Sequence, residues 1–246
     1  MSRFVPQFTH LLETRVLPSA VLAARVAAGA DTTAILATVN EFRNDLGTAQ
    51  RRLDWDQPAE TLTFPKTLPG EYFNTTSPQG AILRSSGTGF AISPASTKFT
   101  TLEPTYAGQF PSFNGTRLFT PIGGNQTVVD FFLAGTRTPA TVNGFGAVFA
   151  DVDLAGATTV TFFGTDGAVL HEQKVPVAKQ GLSFVGVTFG SAIVSRVRIV
   201  SGTTAPAAGI ADSESTDVVV MDDFFFGEPT SITFDVPNSQ RITCAE

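Results

Sequence analysis

The sequence predicts a mainly β protein: an antiparallel β-sandwich, jelly-roll-like, with one N-terminal helix. Three observations carry this. From Thr127 onward, short apolar runs such as "TVVDFFLAG", "TTVTFFGTDG", "LSFVGVTFG" and "DVVVMDDFFFG" succeed one another. Gly-rich breaks separate them and no long helical pattern intervenes, which is the spacing of sandwich strands. Second, 22 Phe stand against 2 Tyr and 1 Trp, so most of the aromatic surface has no polar atom and belongs in a dry core. Third, hydrophobic residues make up 42% of the chain and charged residues only 15%, which favours a buried core over disorder.

Taken in order, residues 1–30 read as a leader or flexible segment; Arg25 breaks the Ala-rich apolar run from Val16 to Ala30, which makes it a poor secretory core. A helix is expected over 31–46. Asp31 or Thr32 can cap it, Gly47 can end it, and Ile35, Val39, Phe42 and Leu46 recur at helical spacing. Between Thr61 and Pro121 the chain is rich in Pro, Gly, Ser and Thr, with brief apolar runs, and reads as short strands joined by long loops. In "SRVRIVSG", Val197 and Ile199 alternate with Arg196 and Arg198, a half-buried strand. Asp166-Gly167 is a hairpin turn signal. The sandwich domain, helix included, is expected to run over 31–236, with a tail from 237 to 246.

Composition narrows the function. Net charge is −6 and no basic run occurs, which argues against nucleic-acid binding. No stretch approaches 18 consecutive apolar residues, so no transmembrane segment is expected. The single cysteine, Cys244, cannot form an internal disulfide. His10 and His171 are too few for a zinc site, and no G-x-S-x-G elbow accompanies them. The sequons at Asn74, Asn114 and Asn125 predict exposed loops.

Several stretches carry a resemblance. Gly144–Leu154 ("GFGAVFADVDL"), 161–170, 181–189, 196–202 and Asp217–Pro229 ("DVVVMDDFFFGEP") resemble a group of uncharacterised bacterial jelly-roll β-sandwich proteins. The earlier "EFRNDLG", "RRLDWD", "PGEYFNTTSPQGAIL" and "GTGF" extend the likeness over about residues 40–229. At fold level the pattern is also similar to carbohydrate-binding jelly rolls and to adhesive domains of exported bacterial proteins. "LLETRVLPS" (11–19) resembles tags near the N-termini of some bacterial cell-surface proteins. These likenesses imply an extracellular or cell-surface protein whose partner is a glycan or another cell-surface polymer.

The carboxylates pose the chemical question. Asp151 and Asp153 stand two apart, so they share a face if the strand persists. Asp222 and Asp223 are adjacent, so a regular strand would turn one of them inward, where a carboxylate needs hydrogen bonds or a cation. Three uses compete. The carboxylates cap loop N–H groups; or Asp151, Asp153, Asp222, Asp223 and Glu228 supply oxygens to Ca²⁺, a common structural ion in the sugar-binding jelly rolls; or a pair performs glycoside hydrolysis. Among the scarce polar aromatics, Tyr72 and Tyr106 fall in loop-rich sequence and are the candidate glycan-binding residues, while Trp55 reads as a core plug. The preferred expectation is a non-catalytic surface binding module, glycan-binding and calcium-stabilised. The alternatives are a glycoside hydrolase using paired carboxylates, and a structural or self-assembling surface protein.

Overall fold

A computed structural model describes residues 21–232. The tag at 11–19, His10, Cys244 and the 237–246 tail lie outside the described residues. The elements in chain order are β1 (Val21–Gly29), α1 (Thr32–Leu46), β2 (Gln50–Leu53), α2 (Tyr72–Thr75), β3 (Ala81–Ser85), β4 (Gly89–Ile92), β5 (Phe119–Ile122), β6 (Gln126–Phe131) and β7 (Ala140–Thr141). There follow β8 (Gly144–Val152), β9 (Thr159–Phe163), β10 (Val169–Lys174), β11 (Ala178–Phe189), β12 (Arg196–Val200), β13 (Val220–Gly227) and β14 (Thr230–Ser231). One sheet has the order β1-β11-β8-β13-β5-β4, with β2 also paired to β13. The second has the order β10-β9-β12-β6-β3, and β14 and β7 form a small ladder of their own. All strand pairings are antiparallel.

The central strands of the larger sheet are buried on both faces, while its edge strand β1 leaves one face exposed. Toward the second sheet the larger one sends Phe145, Phe149, Val185, Phe189, Phe224 and Phe226, which meet Val129, Phe162, Val197 and Ile199 in one continuous core. Toward the other side it sends Val148, Ala150, Phe184, Val220 and Phe225, covered by α1 and by the loops carrying Phe99, Tyr106 and Phe110. Every residue of β8 and β13 is therefore buried, which explains their unbroken apolar runs.

Helix α1 forms as its sequence dictates. Asp31 accepts a hydrogen bond from Thr33 N–H, Gly47 ends the helix at φ 90°, and Ile35, Val39, Phe42 and Leu46 are its buried stripe. Its seat on the sheet is cut by glycine. Gly146 and Gly186 are paired across β8 and β11, and a Cβ on either would meet the Phe42 ring.

The leader expected over 1–30 needs correction within the described residues. Val21–Gly29 is strand β1, paired with β11 from Val21 opposite Phe189 to Gly29 opposite Leu182. Arg25, taken in the sequence as an interruption, belongs to the strand face turned to α1, where its guanidinium meets Asp45 at 2.7 Å and Glu41 at 3.0 Å. The Asp166-Gly167 turn joins β9 to β10 as expected, with Ala168 N–H donating to Asp166 and Gly167 at φ 78°. Asn74 contradicts the sequon reading. It is 2% exposed, and its amide bonds the backbone of Thr136 and Gly135.

Candidate metal centre

The end of β8 is where the backbone leaves its regular path. Asp151 adopts φ 66° and Gln180 φ 48°. Between Val152 opposite Ala178 and Ala150 opposite Leu182, β11 carries two residues more than β8. Such an irregular ladder re-aims side chains and frees backbone N–H groups. Here the freed N–H of Gln180 donates to Asp151 Oδ1 at 2.7 Å, while the Gln109 amide donates to Oδ2 at 2.6 Å. Asp is one of the few residues that tolerates the left-handed region, which fits its place at this kink.

Asp153 follows, just past the strand. Its backbone N–H and that of Leu154 donate to the two oxygens of Asp217, at 3.1 and 3.2 Å. Asp217 is fully buried and serves as a backbone cap. The Asp153 side chain is 6% exposed, and its Oδ2 lies 3.4 Å from Lys179 Nζ, a group that is itself 69% exposed. Its Oδ1 is buried with no hydrogen-bond partner.

The third member comes from the loop between β12 and β13. Asp212 is half-buried, and its Oδ1 accepts Val218 N–H at 2.9 Å. The loop is held by Tyr106 Oη, which donates to Ile210 O at 2.6 Å, and by Glu103, which accepts Gly209 N–H at 2.7 Å. One carboxylate oxygen each from Asp151, Asp153 and Asp212 lies within 4.8 Å of the others. Burial, opposed by the bonds from Gln180 and Gln109 and aided by the Asp153 and Asp212 charges, pushes Asp151 up to about 6. Burial, opposed by the bond from Val218 N–H and aided by the charge of Asp153 and by a carboxyl–carboxyl hydrogen bond with it, does the same for Asp212, up to about 6.

These oxygens fit a hard cation. Ca²⁺ holds oxygens at roughly 2.3–2.6 Å, so ligands across one ion stand no more than about 5 Å apart. All three groups meet that limit, none offers nitrogen or sulfur, and with the carboxyls ionised the buried Asp153 Oδ1 has no hydrogen-bond partner, a lack that an ion would fill. Among the described residues Lys179 supplies the only ion pair to the cluster, and from an exposed position.

The sequence expected one site from five residues, and the structure distributes them. Asp151 and Asp153 come together. Asp222 and Asp223 do not join them: they form a bulge in β13, where Met221 opposes Phe149 and Phe224 opposes Ala147. The bulge explains how adjacent carboxylates are both 1% exposed. Asp222 accepts backbone N–H from Phe113 at 2.7 Å, Asn114 at 3.4 Å and Asp223 at 2.8 Å, so it is a cap. Asp223 faces Arg52 at 2.7 Å. Glu228 is held by Arg51 through two bonds of 2.6 Å. Asp212 and Asp217 went unnoticed in the sequence, although "DSESTD" (212–217) is an acidic loop in a charge-poor chain.

The aromatics also divide. Tyr106 is 2% exposed and contradicts the expectation of a binding edge, because its hydroxyl is committed to Ile210 and its ring to the α1 side of the core. Tyr72 is half-buried, edge-on to Phe73. Trp55 is the expected plug, stacked on Phe119 at 4.0 Å with its indole N–H on Asp222 O.

No family model matches the chain, and no curated protein matches it. Among solved structures, it is similar to the K2 cleaved adhesin domain of Lys-gingipain at 10% identity and TM-score 0.29, over 83% of this chain and 99% of that one. It is also similar to the enzymatically active domain of tailspike protein 4 of bacteriophage CBA120 at 10% identity and TM-score 0.26, over 65% of this chain and 20% of that one. Likenesses this distant carry no functional argument.

Proposed function

We propose that this chain is a non-catalytic binding module of the cell surface or extracellular space, stabilised by Ca²⁺ and directed at a glycan or another surface polymer. The observation that supports it is the convergence of Asp151, Asp153 and Asp212 at a kinked strand end, with one buried oxygen left without a partner. A cation there ties the end of β8 to the β12–β13 loop, two segments far apart in sequence. Cation sites of exported modules work at calcium concentrations of roughly 10⁻⁴–10⁻³ M, which suits three carboxylates and a few loop oxygens. Among the described residues no helix is long and apolar enough to cross a membrane. The surface location is drawn from the resemblance to exported sandwich proteins and from the tag-like stretch at 11–19.

Equilibrium dialysis with radiolabelled calcium tests the reading. The wild-type chain is expected to hold about one ion at millimolar calcium, and Asp212→Asn to lose at least tenfold in affinity. Equal binding by the variant would remove the cluster from the account.

A further inference from the structure

The outward face of the second sheet carries charge opposite to that of the chain as a whole. Cross-strand register sets Arg196 beside Asp130 and Phe163, and Arg198 between Val128 and Thr161. Arg84 flanks Val128 from β3, while Glu172 and Lys174 continue the rows on β10. By register this face holds four cations against two carboxylates, in a chain whose net charge is −6. The cations are accessible: the Arg84 side chain is 58% and that of Arg196 47% exposed, Lys174 is exposed and Arg198 half-buried. Nor is their charge cancelled. Arg84 and Arg196 share a single carboxylate, Asp130, at 3.2 and 2.7 Å, so the trio stays positive. Arg196 uses its Nε–H for that bond, whereas Arg84 makes an ion pair without a hydrogen bond, because Asp130 Oδ2 has no donor. Among the described residues no ion pair holds Arg198. It lies over the Phe163 ring at 5.4 Å and donates to the Thr161 hydroxyl at 3.4 Å, which steadies it without neutralising it.

Charge and spacing select the occupant. Guanidinium forks match carboxylates in geometry as well as sign. Arg196 and Arg198 stand two residues apart on β12, roughly 6.5 Å, and Arg84 stands two strand spacings from Arg198, about 9.5 Å. Val128 and Val200 are half-buried on the same face and offer apolar surface between the charges. At the Arg84 and Arg196 end a hollow of about 230 Å³, with Phe132, Thr165 and Ser195 on its walls, gives one sugar unit a seat. Nucleic acid fits less well. A duplex carries one charge per about 1.7 Å, and so dense an anion would be repelled by Asp130, Glu172 and the acidic remainder of the chain. We propose that this face binds a linear polyuronate, its carboxylates on Arg84, Arg196 and Arg198 and its rings over Val128 and Val200. This gives the binding-module reading a ligand class, and it rests on that reading only for the idea that the chain recognises a saccharide.

The test is biolayer interferometry of the full chain on immobilised polygalacturonate in calcium-free buffer at fixed ionic strength, with dextran, single-stranded DNA and polyglutamate as comparison polymers. Saturable binding to polygalacturonate is expected, at least tenfold tighter than to any of the other three. Arg84→Gln should weaken it at least threefold, and Arg84→Gln combined with Arg198→Gln at least tenfold. Arg84 is mostly exposed and its replacement is expected to leave the unfolding midpoint unchanged, so it keeps the test valid if the double variant fails to fold. Arg43→Gln removes the same charge from α1, on the far side of the larger sheet, and should bind like wild type. No binding to polygalacturonate, equal binding of DNA or polyglutamate, unchanged binding by Arg84→Gln, or equal weakening by Arg43→Gln would each overturn the assignment. Dextran bound as tightly as polygalacturonate would overturn it too, while leaving the binding-module reading in place. Polygalacturonate bound as expected by a chain that holds no calcium would uphold this face and strike only the cation from that reading.

Discussion

A single dihedral sets the candidate site. At φ 66°, Asp151 leaves the regular strand, and its side chain meets Gln180 N–H and Gln109 rather than continuing the alternation of β8. The i, i+2 rule brought Asp151 and Asp153 together on paper for a reason that does not hold, because the strand ends between a kink and a turn. Nothing in local sequence foretells that kink, whose cause is the pairing with the irregular edge of β11. The carboxyls also predict a pH dependence. Asp151 and Asp212 rise from 3.8 to about 6, chiefly through burial. The folded state therefore binds protons more tightly than the unfolded one. Their contribution is fully present below about pH 4 and is lost as pH rises through 6. Asp223 extends the loss toward pH 8. Chelated protein is accordingly expected to have a lower unfolding midpoint at pH 7.5 than at pH 5, and millimolar calcium should shrink that difference. A midpoint that rises over this interval in EDTA would contradict the assignment. Tyr106→Phe removes the hydroxyl that anchors Ile210. It should cost about 0.5–1.5 kcal/mol in denaturant unfolding. It should also weaken calcium binding several-fold, since the loop bearing Asp212 loses its tie.

Elements were more legible than residues. The helix stripe of Ile35, Val39, Phe42 and Leu46 is local information, so sequence alone places it. The strands of the second half are similarly marked by alternation or by unbroken apolar runs. Strand β1 escaped because its composition is Ala-rich and its pairing with β11 spans much of the chain, a partnership that no short window contains. Removing residues 1–30 should therefore destabilise the protein, as read by denaturant unfolding, because β11 loses its ladder partner and α1 loses the Arg25 contacts with Asp45 and Glu41. Unchanged stability would return that segment to the status of a leader. The glycine pair beneath α1 gives a sharper test. Gly186→Ala forces a methyl group against the buried Phe42 ring and should cost about 1–3 kcal/mol, as overpacked cores do.

For the whole molecule, the second sheet on one side and α1 with its neighbouring loops on the other bury the central strands of the larger sheet, which is why the chain can carry so little charge and so much Phe. The same double burial strands carboxylates in low-dielectric surroundings, and the fold answers each in its own way. Asp222 and Asp217 cap backbone N–H groups, Glu228 and Asp223 face arginines, and Asp151, Asp153 and Asp212 face one another. Of these, only the last arrangement has the oxygen spacing to hold a cation. The direct measurement is thermal unfolding of EDTA-treated, dialysed protein at pH 7.5 with and without millimolar CaCl₂, with MgCl₂ as control and Asp212→Asn in parallel. A ligand that binds only the native state adds RT ln(1 + [L]/Kd), about 2.7 kcal/mol at 100 Kd. The account predicts a calcium-specific rise in the midpoint that vanishes in Asp212→Asn. An unchanged wild-type midpoint, or an equal rise in the variant, would contradict it.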